Sequence, residues 1–430
     1  MHNEANIWPL AEQIVARRIL ADIEGALEGY GFVRLETSCV LSGNEWRRMQ
    51  SRQGFGVQFA GREIGVLRND LTPALANYLD QNRERVTFPL KCYQIGNVWV
   101  PEGQSEDVSL ESLHCDFDIL GETKLDSLPD AEILAMIAEI VRSLDVGPLK
   151  IHISHAGIAA EILRLLSQEF PQGATDLDRA TVLADIRGGQ LKPKSPILRF
   201  IGEARIQEGD YGSQRAAFSK AAKGNAPIQG ALEKLDATVA DTEIFADEPV
   251  PIVLDVSQIP KPTYYSGITV RTFLAEQQEL GSVVTGGRYE KLFGSRFGEG
   301  MSGVGASIRF TKIYNMLLRV GIIDCVRRSR SDLIVLLPAR STIQSAVAIG
   351  RHLRGQGLRV ELYDQDRPIE DQLQDAKTKG IPFAVVPWPH TLDSDAVELR
   401  CLNTGRSKVV TCDSIFSEMQ RLSKTIGANT

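Results

Sequence analysis

Several things are scarce in this 430-residue sequence, and each scarcity excludes a class of protein. Its six cysteines stand at 39, 92, 115, 325, 401 and 412. No two form a C-x-x-C pair, so zinc ribbons and thioredoxin-type redox motifs are excluded and reduced packing thiols are expected. Histidine is equally sparse, at six. His152 and His155 lie three apart in a stretch that alternates like a strand, which sends their rings to opposite faces, and no metal site is expected. No apolar run approaches the ~18–20 residues of a membrane-spanning helix. The N-terminus has no basic start followed by an apolar stretch, so a cytoplasmic protein with no membrane partner is expected. Positive charge is also in deficit: 48 Lys and Arg against 55 Asp and Glu give a net charge of -7. Any nucleic-acid contact must come from a local patch.

What is present is ordinary for globular chains, with 43% hydrophobic and 24% charged residues. The length suits two to four domains. Apolar residues from Ile14 to Leu27 recur at helical spacing until Gly29-Tyr30-Gly31 stops them. Strands are expected at Phe32–Leu35 and Arg62–Arg68, a helix from Thr72, and a long antiparallel pair at Leu90–Val100 and Ser112–Leu120. In Pro129–Leu144, Ile133, Leu134, Ile137, Ile140 and Val141 share one helical face. Antiparallel strands joined by long loops favour a sheet covered by helices on one face. Residues ~157–248 read as a helical module. Strands resume at Pro251–Leu254, Tyr264–Leu274 and Val283–Tyr289. Beyond a linker at Cys325–Ser331, alternation of strand and helix through Val386 indicates a small, separate, mostly parallel α/β domain. The expected domains are thus 1–156 with 249–324, 157–248, and 330–430. Within the helical module, Arg199, Arg205 and Arg215 belong to a local excess of cations that is the candidate phosphate-contacting surface.

Thr285-Gly286-Gly287-Arg288-Tyr289-Glu290 resembles the GGRYD segment of the histidyl-tRNA synthetase family. Leu67-Arg68-Asn69-Asp70-Leu71-Thr72 is similar to its LRPEGT, and Tyr93–Trp99 to the start of class II motif 2. Cys115–Gly121 resembles the strand closing that motif, and Tyr264-Tyr265-Ser266-Gly267 the tyrosine pair of the histidine-specific segment. Residues 331–387 resemble the family's anticodon-binding domain. The order and spacing of these segments carry the resemblance over nearly the whole chain. It implies an α+β fold, a class II aminoacyl-tRNA synthetase antiparallel sheet core with a helical insertion, followed by a C-terminal α/β anticodon-binding-like domain. It also implies a homodimer.

The resemblance further implies an amino-acid pocket made by Asp70, Thr72, His114, Asp118, Tyr264, Tyr265, Gly286, Gly287 and Arg288, with His114 standing where relatives have glutamine. Three arginines hold ATP's phosphates in the family; here those positions are Val100, Pro260 and Lys312. The loop after Val100 carries Glu102, Glu106, Asp107 and Glu111 and no cation, where the family's loop is basic. No catalytic set is therefore intact and no cofactor is expected. The reading that results is a paralogue without aminoacylation activity: a histidine-binding regulatory subunit of the ATP phosphoribosyltransferase type, or a tRNA sensor. Its partners would be a small amino acid together with tRNA or a partner enzyme. The alternative is an active amino-acid-adenylating ligase with a rebuilt site for ATP and Mg, whose replacement cations would be Lys261, Arg288, Arg309 and Lys312.

Overall fold

The computed structural model describes residues 8–42, 54–100, 110–170, 176–203, 209–259, 265–277, 281–290, 301–323, 328–387 and 396–427. They fall into two compact units, one of Ala21–Ile322 and one of Ile323–Thr430 together with Ile7–Leu20. In the first unit the strands are β1 (Val33–Arg34), β2 (Val40–Leu41), β3 (Gly56–Phe59), β4 (Arg62–Leu67), β5 (Leu90–Trp99), β6 (Glu111–Gly121), β7 (Leu149–His155), β8 (Ile252–Leu254), β9 (Ile268–Leu274), β10 (Val284–Arg288) and β11 (Ser302–Ile308). Eight of them form one sheet in the order β1-β5-β6-β11-β10-β9-β7-β8, and β2, β4 and β3 form a small second sheet. The large sheet is antiparallel through its centre, as strands joined by long loops suggested. It is mixed at the ends, because β1 pairs parallel with β5 and β8 parallel with β7. Both parallel partners are two- or three-residue edge strands inside the expected strands Phe32–Leu35 and Pro251–Leu254; only their parallel pairing had no local signal.

The Leu128–Ser143 helix forms where its apolar spacing indicates, with Pro129 in the first turn. Ile133, Leu134, Ile137, Ile140 and Val141 are buried to within 1%. At ~1.5–3 kcal/mol per buried side chain they hold this helix to the sheet. The sheet face it covers carries Cys115, Phe117 and Ile119 of β6, alternate residues that are equally inaccessible. His114, Asp116 and Asp118 therefore point to the opposite face. The helices Ala156–Glu169, Asp176–Arg187, Pro196–Glu203, Tyr211–Ala221 and Ala226–Phe245 make up the module between β7 and β8. They lie in the same compact unit as the sheet.

The second unit contains a five-stranded sheet of β12 (Leu333–Val335), β13 (Val360–Leu362), β14 (Phe383–Pro387), β15 (Ala396–Cys401) and β16 (Ser407–Thr411). Its order is β13-β12-β14-β15-β16, with the first two contacts parallel and the last two antiparallel. The parallel half follows the expected alternation, with helices Ile343–Gly355 and Ile369–Thr378 as crossovers. The antiparallel hairpin and the closing Ile415–Gly427 helix were not read from the sequence. No described helix is long and apolar enough to cross a membrane.

Candidate functional site

The polar face of the large sheet is organised in rows that the pairing register sets. Asp116 of β6 lies opposite Gln94 of β5 and Ser307 of β11; Ser307 lies opposite Thr285 of β10, and Thr285 opposite Arg271 of β9. One step along, Asp118 lies opposite Gly305, Gly305 opposite Gly287, and Gly287 opposite Thr269. Opposed residues share a face. Small residues on β11 and β10 thus floor a trough between an acidic strand, β6, and the arginine of β9. Glycine is required in this floor. A Cβ at Gly305 would overlap Asp118 Oδ1 and lie 2.6 Å from the Phe117 carbonyl oxygen. Gly287 has φ +144°, and a Cβ there would lie 2.9 Å from Tyr265 Cδ1, so the Tyr265 ring covers the trough at this point.

Asp116 and Asp118 are each only 3% exposed. Tyr289, on the same face, donates its hydroxyl to Asp118 Oδ1. Among the described residues, Asp118 Oδ2 and Asp116 Oδ1 are buried and have no hydrogen-bond partner. Two orphaned carboxylate oxygens in one pocket are costly unless something cationic or protonated meets them. Asp70 completes the group from the turn before the Thr72–Asn82 helix, where its Oδ1 accepts from the Thr72 amide at 2.9 Å. The turn is pinned by Arg68, whose Nε donates to the Asn97 carbonyl at 2.9 Å and whose Nη1 donates to the Thr37 carbonyl at 3.0 Å. Gln94 joins the same scaffold by accepting from Thr37 Oγ1 at 2.6 Å.

The electrostatics follow from this burial. Asp118 is pushed up to about 7, first by loss of water and then by the charge of Asp70, against the Tyr289 hydrogen bond. Asp116 stands well above the usual carboxylate range because it is buried beside Asp70 and Asp118. Burial also raises Asp70, opposed by the Thr72 amide and Arg309. His114 shares their face; its Nδ1 lies 3.3 Å from Ser307 Oγ. Burial and the charge of Arg309 lower it to about 3, so it stays neutral and does not act as a charge switch near pH 6. Arg309 caps the Phe310–Arg319 helix through its backbone, and its half-buried side chain is close enough to Asp70, Tyr265, Arg271 and His114 to shift their titration or be shifted by them.

The sequence-predicted site divides accordingly. Asp70, Thr72, His114, Asp118, Tyr265 and Gly287 are brought to or around the trough. Gly286 faces the other way, where a Cβ would lie 2.9 Å from Ala306. Arg288 also takes the other face: its Nε donates to Asp130 at 3.0 Å and its Nη1 to the Leu125 carbonyl at 3.0 Å, so it ties the Leu128–Ser143 helix to the sheet. It is therefore not available as a replacement cation in the trough. Lys312 donates to the Ser282 carbonyl at 3.2 Å, and Val100 continues the end of β5 as an uncharged side chain. Pro260, Lys261, Tyr264 and Arg205 lie outside the described residues. In the helical module Arg199 is exposed, whereas Arg215 is committed to Asp236 through Nη2 at 2.7 Å and Nε at 3.0 Å. Asp116, Tyr289, Ser307 and Arg271 were missed as site residues. Asp116 was recoverable from its i+2 spacing between His114 and Asp118. The cross-strand partners depend on register and had no local signal. Among the described residues, no group of three or more His, Cys, Asp or Glu is arranged to hold a metal ion. An organic cation is the better chemical match for these carboxylates.

A helix-covered antiparallel sheet with a ligand trough on its open face, followed by a separate α/β domain, is the class II aminoacyl-tRNA synthetase architecture. The chain belongs to the histidyl-tRNA synthetase family: the model described as "Histidyl-tRNA synthetase" matches residues 47–313, and "Anticodon binding domain" matches residues 332–422. It is 27% identical to a histidine–tRNA ligase of Stenotrophomonas maltophilia, over 95% of both chains. It is 26% identical to one of Trichormus variabilis, over 94% of this chain and 93% of that one. The fold matches the crystal structure of histidyl-tRNA synthetase from Nostoc sp. PCC 7120 with a TM-score of 0.82 at 22% identity, covering 98% of each chain. It also matches a Bacillus halodurans structure titled as an ATP phosphoribosyltransferase regulatory subunit/histidyl-tRNA synthetase, with a TM-score of 0.67 at 16% identity, over 87% of this chain and 95% of that one.

Proposed function

We propose that this protein is a histidyl-tRNA synthetase-like paralogue that binds a free amino acid, histidine first among candidates, without aminoacylating tRNA. It acts in the cytoplasm as a regulatory or tRNA-binding subunit and as a homodimer. The observation that carries this reading is the contrast between the two halves of the site. The acidic half brings Asp70, Asp116 and Asp118 together, with two buried carboxylate oxygens that have no partner among the described residues. The positions that hold phosphate-binding arginines in the family are Val100, Pro260 and Lys312. Val100 carries no charge, and Lys312 is bound to the Ser282 carbonyl.

The residues present do not fit a triphosphate. The segment 101–109 between β5 and β6 contributes Glu102, Glu106 and Asp107 and no cation. The family's loop at this place in the sequence is basic, and an acidic one would repel a developing negative charge. Loss of one such donor costs ~2.7–4 kcal/mol of barrier, so two outright losses amount to ~10⁴-fold or more. Binding of an amino acid needs none of these groups. Asp116 and Asp118 accept from the ligand's N–H donors, Tyr289 holds the Asp118 carboxylate in place, and Tyr265 excludes water above Gly287. The fold is shared with a Bacillus halodurans protein described as an ATP phosphoribosyltransferase regulatory subunit/histidyl-tRNA synthetase, which supports considering a regulatory role.

The test is calorimetry of the purified protein with L-histidine and with ATP–Mg, together with amino-acid-dependent pyrophosphate exchange. Histidine binding without exchange is the expected result. Exchange with any amino acid would overturn the non-catalytic reading and make the protein a ligase with a rebuilt ATP site.

A further inference from the structure

The trough is not simply acidic; it is dipolar. At one side stand Asp116 and Asp118 on β6, with their unpartnered oxygens. At the other stand two arginines. Arg271 projects from β9 on the same face, in the row of Asp116, Ser307 and Thr285. Arg309 directly follows β11, two residues beyond Ser307, which lies opposite Asp116, and caps the following helix through its backbone. β6 and β9 are three strand spacings apart, ~14 Å. Acidic side chains reaching in from one strand and an arginine from the other leave a gap of small-molecule length. The Tyr265 phenol feels the charges of Asp70, Arg271, Asp116 and Arg309. Burial first, and then the charge of Arg271, disfavour the charged form of Arg309, a cost that a bound anion would offset.

We propose that Arg309, assisted by Arg271, is the anion-holding end of this trough. The ligand is a free zwitterion of amino-acid size, with its cationic or N–H-donating end at Asp116 and Asp118 and its carboxylate at Arg309. This rests on the amino-acid-binding reading above and adds to it a specificity-determining residue and a rule. A ligand whose carboxylate has been reduced or esterified loses its partner and leaves Arg309 partly desolvated and unpaired. A fixed guanidinium at this end therefore makes the unactivated acid the tighter ligand, which suits a receptor of free amino acid.

The experiment compares L-histidine with L-histidinol and L-histidine methyl ester by calorimetry on the full chain, with Arg309→Gln and Arg271→Gln as variants. A charge-assisted hydrogen bond of ~1.5–3 kcal/mol corresponds to a preference of roughly 10- to 150-fold for histidine in the unmodified protein. Arg309→Gln should weaken histidine by that factor and move histidinol less than about threefold, so the preference collapses. Arg271 is at an exposed strand position, and Arg271→Gln should erode the preference in the same direction, by less. It also keeps the test open should Arg309→Gln fail to fold. Histidine binding whose preference over histidinol is unchanged in the folded variants refutes the assignment of Arg309 and leaves the amino-acid reading standing. No binding of any of the three compounds to the unmodified protein overturns both.

Discussion

Replacing Asp118 by asparagine should stabilise the protein, and by an amount that depends on pH in a calculable way. Asp118 is buried on β6 with Oδ2 unpartnered, and its folded-state pKa is about 7 against the usual 3.8. Between those values the folded state holds a proton that the unfolded state has released. Unfolding then becomes easier as pH rises, since stability follows the difference in protons bound. Integrated for one group, the wild-type protein loses ~2.5 kcal/mol between pH 5 and pH 8 on account of Asp118, most of it before pH 7. The asparagine side chain is nearly the shape of the protonated acid and keeps an oxygen to accept from Tyr289, but does not titrate. The stability gap between the Asp118→Asn variant and wild type should therefore widen by ~2.5 kcal/mol from pH 5 to pH 8, a shift of roughly 0.5–0.8 M in urea midpoint for a chain of this size. Urea unfolding at four pH values from 5 to 8 reads this directly. Histidine affinity should fall in the same variant, the expected trade between stability and a strained site. Parallel stability curves for the two proteins across that range would mean that Asp118 is ionised at no cost, and the description of the trough as an unsatisfied acidic pocket would be wrong.

Three other outcomes follow from particular contacts. Arg288→Ala leaves Asp130 buried without its partner and should cost ~3–5 kcal/mol; Asp130, already pushed to about 6 by burial, should rise further, and thermal melts should show much of the loss restored when Asp130→Asn is added. Gly305→Ala places a methyl group against Asp118 Oδ1 and the Phe117 carbonyl, so melting should report ~1–3 kcal/mol of destabilisation and calorimetry the loss of histidine binding. In filter-binding assays across a salt series, neutralising the exposed Arg199 should weaken tRNA retention and flatten its salt dependence by about one contact, whereas Arg215→Gln should leave the slope unchanged because Arg215 is paired with Asp236.

Much of this protein was readable from its sequence because the signals are local. The Leu128–Ser143 helix announced itself by apolar spacing, and the β5–β6 pair by two long runs of strand-forming residues. The crossovers around β12, β13 and β14 followed from strand–helix alternation. The family motifs were legible for the same reason: each is a short contiguous string. Pairing failed for the opposite reason. β1 and β8 were read as strands, but nothing local says that they pair parallel at the sheet's ends, and β15 and β16 are recognisable as a hairpin only once β14 offers them an edge.

The divided fate of Gly287 and Arg288 shows where sequence stops deciding. Both belong to one motif and both were assigned to the pocket. A strand turns successive side chains to opposite faces, so one residue floors the trough and the next anchors the helix behind it. By itself the sequence determined the family and most element types, because these depend on residue identity and near neighbours. Only the tertiary structure decided that Asp116 and Asp118 lie buried with one oxygen of each unpartnered among the described residues, that Tyr289 holds Asp118, and that Arg271 shares their face. Those facts depend on which strands pair and in what register. Register is fixed by burial of the whole opposite face under a helix that lies far from β10 and β11 along the chain.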